Sequence, residues 1–483
     1  MAKQESGISK DSNFSEWFTE IIREAELADS RFNVKGFLVF QPWSVLCMEK
    51  MYDFFEKNLQ LKGHKPYWFP AVIPEENFYL EKEHVKGFAP EVFWLEKQTD
   101  SDKEGRLALR PTSETAFYKM FSLWIQSHKD LPLKTYQRAQ VWRHETKATR
   151  PFIRSREFYW IETHCAFKDL EGAMNQVKED MEIVEEVMHK TFGIPFIFFQ
   201  RPDWDKFAGG VSTYGSDTLM PDGKALQLPS THLIGQQFPK SFGVSFKDED
   251  TKDKTPFTTC FGPAVSRIFA ALIAVHSDNK GLKFPFSIAS LQIIIIPIGA
   301  EKNEKIAKEA LNIQKSLTEK GFSAEIDLSE KTPGNKFYYW EMKGVPFRIE
   351  LGGKELEEKK LTIFRRDTGE KKQISGKDLI SFIEKESLSF DNNLRKEADK
   401  KFKDSVQDIS KLSDLKNAVK NKKFARASFC SIDKEGEVCA EKIEKEFSAR
   451  VRGIKAFAKE KPSGKCIVCG AQAKETVYIA REY

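Results

Sequence analysis

Between Val141 and Glu162 the chain reads VWRHETKATRPFIRSREFYWIE. Arg143, Lys147, Arg150, Arg154 and Arg156 stand among Glu145, Glu157 and Glu162, and Phe158, Tyr159 and Trp160 follow. A nucleic-acid patch would use the cations but has little need of the carboxylates. A solvated charged face has no need of the aromatic rings. Side chains alternate faces along a strand, so Arg143 and Glu145 share one face. Arg154, Arg156, Phe158, Trp160, Glu162 and His164 share a parity on a returning strand. Two such stripes make a floor of planar cations, carboxylates and an aromatic ring. Guanidinium groups hold phosphate or carboxylate in fixed bidentate geometry. The floor therefore suits a small ligand with phosphates and a carboxylate. An exposed hairpin with surface ion pairs is the plainer alternative.

Four other places carry chemistry. In RPTSET, Thr112 and Glu114 precede an apolar helical pattern, where Thr or Ser also serves as a helix cap. In PAVSRIFAALIAVHSD, Arg267 opens an otherwise apolar helix, which favours a ligand for it. His232 in STHL sits alone in an apolar context, where a histidine is more often structural. Near the end, Cys430-x8-Cys439 and Cys466-x2-Cys469 make two pairs, with no histidine after His276. Four thiolates in a tetrahedron are a structural zinc set. A redox CxxC or free thiols are the alternatives. No metal-ligand cluster is expected before residue 285.

The elements that must position these groups are legible as periodicities. QPWSVLCMEKMYDFFEKNL is a helix entered at Pro42 and ended by Gly63, and YWFPAVI then reads as a strand. LALRPTSETAFYKMFSLWI reads as strand, turn and helix. LEGAMNQVKEDMEIVEEVMHKTF is a helix with Met174, Val177, Met181, Val184 and Met188 on one face. FPKSFGVSF reads as a short strand. After Pro285, LQIIIIPIG is a continuous apolar run, as in a covered parallel sheet. Helices and strands then alternate through KDLISFIEK, as in an α/β domain. Phe402, Val406, Ile409, Leu412, Leu415 and Val419 have the spacing of one further charged helix.

The composition frames this. The chain has 483 residues, 40% hydrophobic and 31% charged, with a net charge of +5. That permits an RNA partner without requiring one. No apolar run approaches the roughly 20 residues that span a bilayer. The N-terminus has no apolar signal core, and a cytoplasmic protein is expected.

VWRHETKATRPFIRSREF resembles motif 2 of the class II aminoacyl-tRNA synthetases. FAPEV, RPTSET, FAGG, STHLIGQQF, PAVSRIFAALIAVHSD and KGVPFRIELG resemble the prolyl-tRNA synthetase family, in order along nearly the whole chain. The layout is similar to the archaeal and eukaryotic form. The resemblance implies an α+β and α/β multidomain fold. Residues 1–285 would be the class II catalytic domain on an antiparallel sheet. Residues 286–390 would be an α/β anticodon-binding domain, and 391–483 a small C-terminal α/β zinc domain.

It further implies activation of L-proline by ATP and transfer to the 3′ end of tRNA(Pro), by a homodimer with no membrane partner. By the resemblance, Arg143 meets the α-phosphate and the prolyl carboxylate, while Glu145 and Arg154 hold ATP with Mg²⁺. Thr112 and Glu114 receive the amino group; a secondary ammonium has two protons, and an acceptor pair suits it. Phe88 and Trp160 are pocket walls and His232 the pocket histidine. Gln227 and Ser230 lie near ATP, and Arg267 is the motif 3 arginine. FGPAVSR departs from the family by a proline after the glycine, which leaves open which of Thr259, Cys260 and Ser266 faces the nucleotide. Glu341, Arg348 and Glu350 are the candidates for reading guanine edges, with ion pairing the equal alternative. The structural Zn²⁺ would sit on Cys430, Cys439, Cys466 and Cys469, the first pair being wider than the family's spacing. YIAREY matches the family's aromatic end, where Tyr483 tucks toward the catalytic domain. The stretch from about Cys165 to Thr259 leaves no room for an editing insertion. A threonyl relative would carry metal ligands in its amino-acid pocket, and a non-catalytic RNA-binding relative would have lost the arginines.

Overall fold

The computed structural model describes residues 9–79, 92–96, 105–145 and 148–483. Phe88 therefore lies outside the described residues.

Helices α1 (Phe14–Glu24) and α2 (Pro42–Leu61) bury their apolar sides in a first core. Pro42 sits in the first turn of α2, and Gly63 at φ +88 turns the chain out of it, as the sequence predicts. YWFPAVI does not form one strand. Short strands occupy Lys65–Pro66 and Val72–Pro74 instead. Pro70 between them has no N–H to give a ladder.

Strand β1 (Leu107–Leu109) runs through a turn into α3 (Glu114–Trp124). Strands β2 (Leu133–Trp142) and β3 (Glu157–Phe167) pair antiparallel over ten residues, from Leu133 opposite Ala166 to Trp142 opposite Glu157. The alternation predicted for the returning strand holds for Phe158, Trp160, Glu162 and His164. It fails for Arg154 and Arg156, which precede the strand. Pro151 lacks a donor and Phe152 takes φ +61, so the chain reverses through a tight turn at 150–154. The Phe152 ring stacks on Phe40 with centroids 4.9 Å apart.

Helix α4 (Leu170–Val184) buries Ala173, Gln176, Val177, Asp180, Ile183 and Val184. That face is rotated from the methionine stripe, because Asp180 finds partners inside. Strands β4 (Ile197–Gln200), β5 (Ser212–Leu219) and β6 (Lys224–Gly235) follow. The FPKSFGVSF stretch holds a helical turn at Gln237–Ser241 and a two-residue strand at Phe246–Lys247, not one strand. Strand β7 (Phe257–Gly262) leads into α5 (Val265–His276), the apolar helix at the centre of the first core.

The second core lies on β8 (Ile293–Pro297), α6 (Glu304–Glu319), β9 (Ala324–Ile326), α7 (Pro333–Met342), β10 (Phe347–Leu351), β11 (Lys360–Arg365), β12 (Lys371–Ser375) and α8 (Leu379–Lys403). Its sheet runs β9-β8-β10-β11-β12, parallel across the first three strands and antiparallel after. Residue 390 falls within α8.

The final stretch holds β13 (Val406–Asp408), β14 (Phe424–Phe429), α9 (Glu437–Phe447), β15 (Arg450–Lys455) and β16 (Glu475–Glu482) around a third core. The helix expected across Phe402–Val419 is not there. α8 ends at Lys403, and Val406 instead pairs with Phe424. The Ser and Asp residues at 408–414 favour turns over helix interiors. A helix resumes at Leu415–Lys420.

One sheet joins the first and third cores. Its order is β13-β14-β16-β15-β4-β5-β6-β7-β3-β2, ending on Lys65–Pro66. β15 pairs with β4, and the end of β16 also pairs parallel with β6 at Lys224–Arg481. The C-terminal segment is thereby built into the sheet that carries the candidate site.

Candidate active site

The cations converge. Arg143 follows β2, where its N–H donates to the Arg156 carbonyl at 2.8 Å. Its Nε donates to the Pro111 carbonyl at 3.1 Å, and its guanidinium lies 5.2 Å from the Phe158 ring and 5.8 Å from the Trp160 ring. Arg154 donates to Glu145 at 3.3 Å and to the Tyr483 main-chain oxygen at 2.8 Å. Arg267, in the first turn of α5, donates to the Ile153 carbonyl at 3.1 Å and the Gln227 carbonyl at 3.4 Å. Burial pushes its guanidinium down to about 10, with Arg143 and Arg154 adding repulsion and Glu145 opposing. Three like charges held together at the edge of a core call for an anionic ligand. Tyr483 is fixed beside them, its hydroxyl donating to Asp222 at 2.7 Å.

The other end of the floor is buried. Thr112 and Glu114 are joined side chain to side chain. The helix-cap alternative does not hold as drawn. Ser113 occupies the cap position without a side-chain cap bond, and its hydroxyl accepts from Gln137 at 2.8 Å. Gln137 also donates to Glu162 at 2.7 Å, and Glu162 accepts the Ser113 N–H at 3.2 Å. Glu162 and Gln137 face each other across β3 and β2, so the sheet positions the RPTSET turn. Trp160 stands one alternate position away, packed against Gly262, where an added Cβ would come within 3.3 Å of the ring. Any larger residue here would need the ring to give by a few tenths of an ångström.

His232 on β6 is half-buried, and desolvation pushes its ring down to about 4, so it is neutral near pH 7. Its nitrogens contact the Thr213 hydroxyl at 2.9 Å and the Ser230 hydroxyl at 3.0 Å. Gln227, on the same strand, accepts from Arg201 at 3.1 Å through its side chain.

The expectation of no metal-ligand cluster before residue 285 is corrected. Glu114, His164 and Cys260 bring one donor atom each to within 4.8 Å of one another. Sequence spacing hid this, because the register of β7 against β3 is what sets Cys260 opposite His164. Of the three residues left open by the FGPAVSR departure, Cys260 points at Glu114, with 3.7 Å between sulfur and oxygen.

Sequence reasoning also missed a buried charge network behind Gln227. Arg201 donates to Asp217 at 3.0 Å, and Arg452 of the C-terminal segment donates to the same carboxylate at 2.7 Å. Gly215 leaves room for it, since a Cβ there would lie 2.5 Å from Arg201.

Comparison with known proteins accords with this arrangement. The class II tRNA synthetase core model (G, H, P, S and T) matches residues 93–276, an anticodon-binding domain model 292–386, and the prolyl-tRNA synthetase C-terminal model 412–483. A proline–tRNA ligase of Thermofilum pendens is 45% identical, over 100% of both chains. The chain belongs to the prolyl-tRNA synthetase family. It is an aminoacyl-tRNA ligase. The Giardia lamblia prolyl-tRNA synthetase solved with prolyl-adenylate superposes with a TM-score of 0.94 at 33% identity, covering 99% of each chain. The Cryptosporidium parvum enzyme solved with L-proline and AMP gives 0.91 at 30%, covering 99% of this chain and 96% of that one.

In this synthetase the sulfurs of Cys430, Cys439, Cys466 and Cys469 also lie within 4.8 Å of one another, which a metal-ion donor set requires. The backbone N–H of Ala471 and the neighbouring thiols lower the Cys469 thiol. In the anticodon-binding domain, Arg348 and Glu350 are buried and paired at 2.9 Å, and Arg348 lies 4.1 Å from both the Phe337 and Phe364 rings. Glu341 lies 3.8 Å from Lys280. Among the described residues no helix is long and apolar enough to cross a membrane.

Proposed function

We propose that this chain activates L-proline with ATP to prolyl-adenylate and then esterifies the 3′ end of tRNA(Pro). The convergence of Arg143, Arg154 and Arg267 on a floor that ends in the Thr112–Glu114 pair carries the reading. In the first step a carboxylate oxygen of proline attacks the α-phosphorus and pyrophosphate leaves. In the second, a terminal ribose hydroxyl attacks the acyl carbon and AMP leaves. Neither step needs a side-chain nucleophile; the protein positions two reactants and stabilises charge.

Arg143 meets the α-phosphate and the proline carboxylate. Arg267 stacks on adenine and reaches the γ-phosphate, and Glu145, Arg154, Gln227 and Ser230 hold the nucleotide. Thr112 and Glu114 accept the two protons of the secondary ammonium. Trp160 and neutral His232 wall the ring, with Phe88 the third wall by its place in FAPEV. Mg²⁺ supplies charge neutralisation on the phosphates; Glu145 places one carboxylate among the arginines, which suits a metal carried by phosphate rather than a protein cage. The domains run 1–285 for catalysis, 286–390 for the anticodon and 391–483 for a structural zinc on the four cysteines. The enzyme is a cytoplasmic homodimer without an editing domain.

The test is pyrophosphate exchange across the standard amino acids. Proline should give the fastest exchange. Arg143→Ala should lower proline-dependent exchange at least about 100-fold, the scale of a lost transition-state charge contact. Near-normal exchange in that variant refutes the assignment.

A further inference from the structure

The amino-acid end of the pocket carries a donor set that adenylate formation does not use. On the sheet, Cys260 of β7 is the cross-strand partner of His232 on one side and of His164 on the other. Directly opposed residues present their side chains to the same face. Glu114 reaches this row from the first turn of α3. Glu114, His164 and Cys260 are all buried, at 1%, 0% and 5% exposure. Their ligating atoms lie within 4.8 Å of one another. The contact between Cys260 Sγ and Glu114 Oε1 is 3.7 Å. Tetrahedral zinc with ordinary Zn–S and Zn–O bonds sets that edge at about 3.5 Å. The spacing therefore suits coordination with little movement.

Two further observations point the same way. His164 Nδ1 is buried and has no hydrogen-bond partner. Its Nε2 faces Glu162 Oε2 at 3.5 Å, and Glu162 is itself anchored by the Ser113 N–H and Gln137. A histidine with one nitrogen toward a fixed carboxylate and the other open is the usual support for a metal-bound imidazole. His232, by contrast, has both nitrogens engaged by hydroxyls and stays outside the set.

We propose that Glu114, His164 and Cys260 form a reversible site for a soft divalent cation of the zinc class, and that the bound cation excludes the amino acid. Mixed sulfur, nitrogen and oxygen donors select zinc or cobalt over magnesium or calcium. The Cys260 thiol proton passes to solvent as the sulfur coordinates, and water takes the fourth position. The exclusion rests on the reading that Glu114 receives the substrate ammonium. A carboxylate committed to a cation cannot also accept that group, and the cation repels it.

The experiment uses the full chain with its four-cysteine centre already loaded with zinc. Equilibrium dialysis against Co²⁺ is followed by elemental analysis and by sulfur-to-cobalt absorption. The wild type should take up one Co²⁺ more than Cys260→Ser and than His164→Gln, and L-proline should displace it. In exchange assays, Zn²⁺ at ten times its dissociation constant should raise the apparent KM for proline about 11-fold with kcat unchanged. Cys260→Ser, compared with its own metal-free rate, should show no such rise. Equal Co²⁺ uptake by the wild type and both variants overturns the site. Uptake that proline does not displace overturns the exclusion. The dialysis is read without catalysis, so its failure is distinct from a failure of the proposed reaction.

Discussion

Arg452→Met tests whether the C-terminal segment supports the nucleotide side of the site. Arg452 is on β15, yet it donates to Asp217 on β5 at 2.7 Å, and Arg201 holds the other face of that carboxylate. Asp217 is fully buried. Burial works to raise its carboxyl, but Arg201 and Arg452 outweigh it and hold the group below the ordinary carboxylate value. Removing one partner of a buried ion pair costs about 3–5 kcal/mol. The low end applies here, because Asp217 keeps Arg201, Glu482 (the second carboxylate paired with Arg452) keeps Arg450 at 2.7 Å, and methionine replaces much of the arginine stem. A cost of about 3 kcal/mol is about 150-fold in an opening equilibrium. Whole-chain unfolding of a multidomain enzyme is not two-state, so the readout is local. Amide hydrogen exchange should lose about that protection in β15 and in β4, the two strands that pair across the seam. Arg201 also donates to Gln227, so KM for ATP should rise while KM for proline holds. Asp217→Asn combined with Arg452→Met should cost less than the sum of the two. A protection loss under about 10-fold, or additivity within about 0.5 kcal/mol, refutes the network.

Asp180 is buried, accepts from Gln176 at 2.8 Å and Thr231 at 2.7 Å, and is pushed up to about 7 by burial. Its folded value lies above the unfolded one, so its ionisation removes stability as pH rises from about 4 through 7; Asp180→Asn should therefore gain on the wild type over that window, by at most about 4 kcal/mol, and a pH-independent difference in the amide-exchange protection of α4 and β6 refutes this. After exhaustive dialysis, elemental analysis should find one tightly held zinc per chain, and Cys469→Ser should lose it together with stability before exchange activity falls; zinc-free wild type refutes the centre. Alanine and cysteine should be measurably activated, since a missing methylene is worth about 1–3 kcal/mol of discrimination. Preformed Ala-tRNA bearing the proline anticodon should survive incubation with the enzyme at its spontaneous rate; faster cleavage would reveal an editing site.

What could be read from sequence was whatever sits within one element or one turn. The alternation of Phe158, Trp160, Glu162 and His164 is a property of a single strand, and β3 keeps it. Pro42, Gly63 and the apolar run at Ile293–Ile296 act locally too, and each does what its chemistry dictates. The spacing from Phe402 to Val419 misled because a strand, a turn and a short helix can carry the same apolar intervals as one helix; the pairing of Val406 with Phe424 decided it from outside the segment. The site's deeper parts have the same origin. Cys260 meets His164 only because β7 lies against β3 in that register, and Arg452 meets Asp217 only because β15 lies against β4. Strand order is fixed by the packing of whole layers, and no short motif encodes it. Motif spacing thus locates the candidate groups of the floor itself. The groups Gln137, Asp217 and Arg452, and the anchoring role of Glu162, come into view when the sheet is assembled, and substitutions there are where sequence-guided engineering of this pocket would go astray.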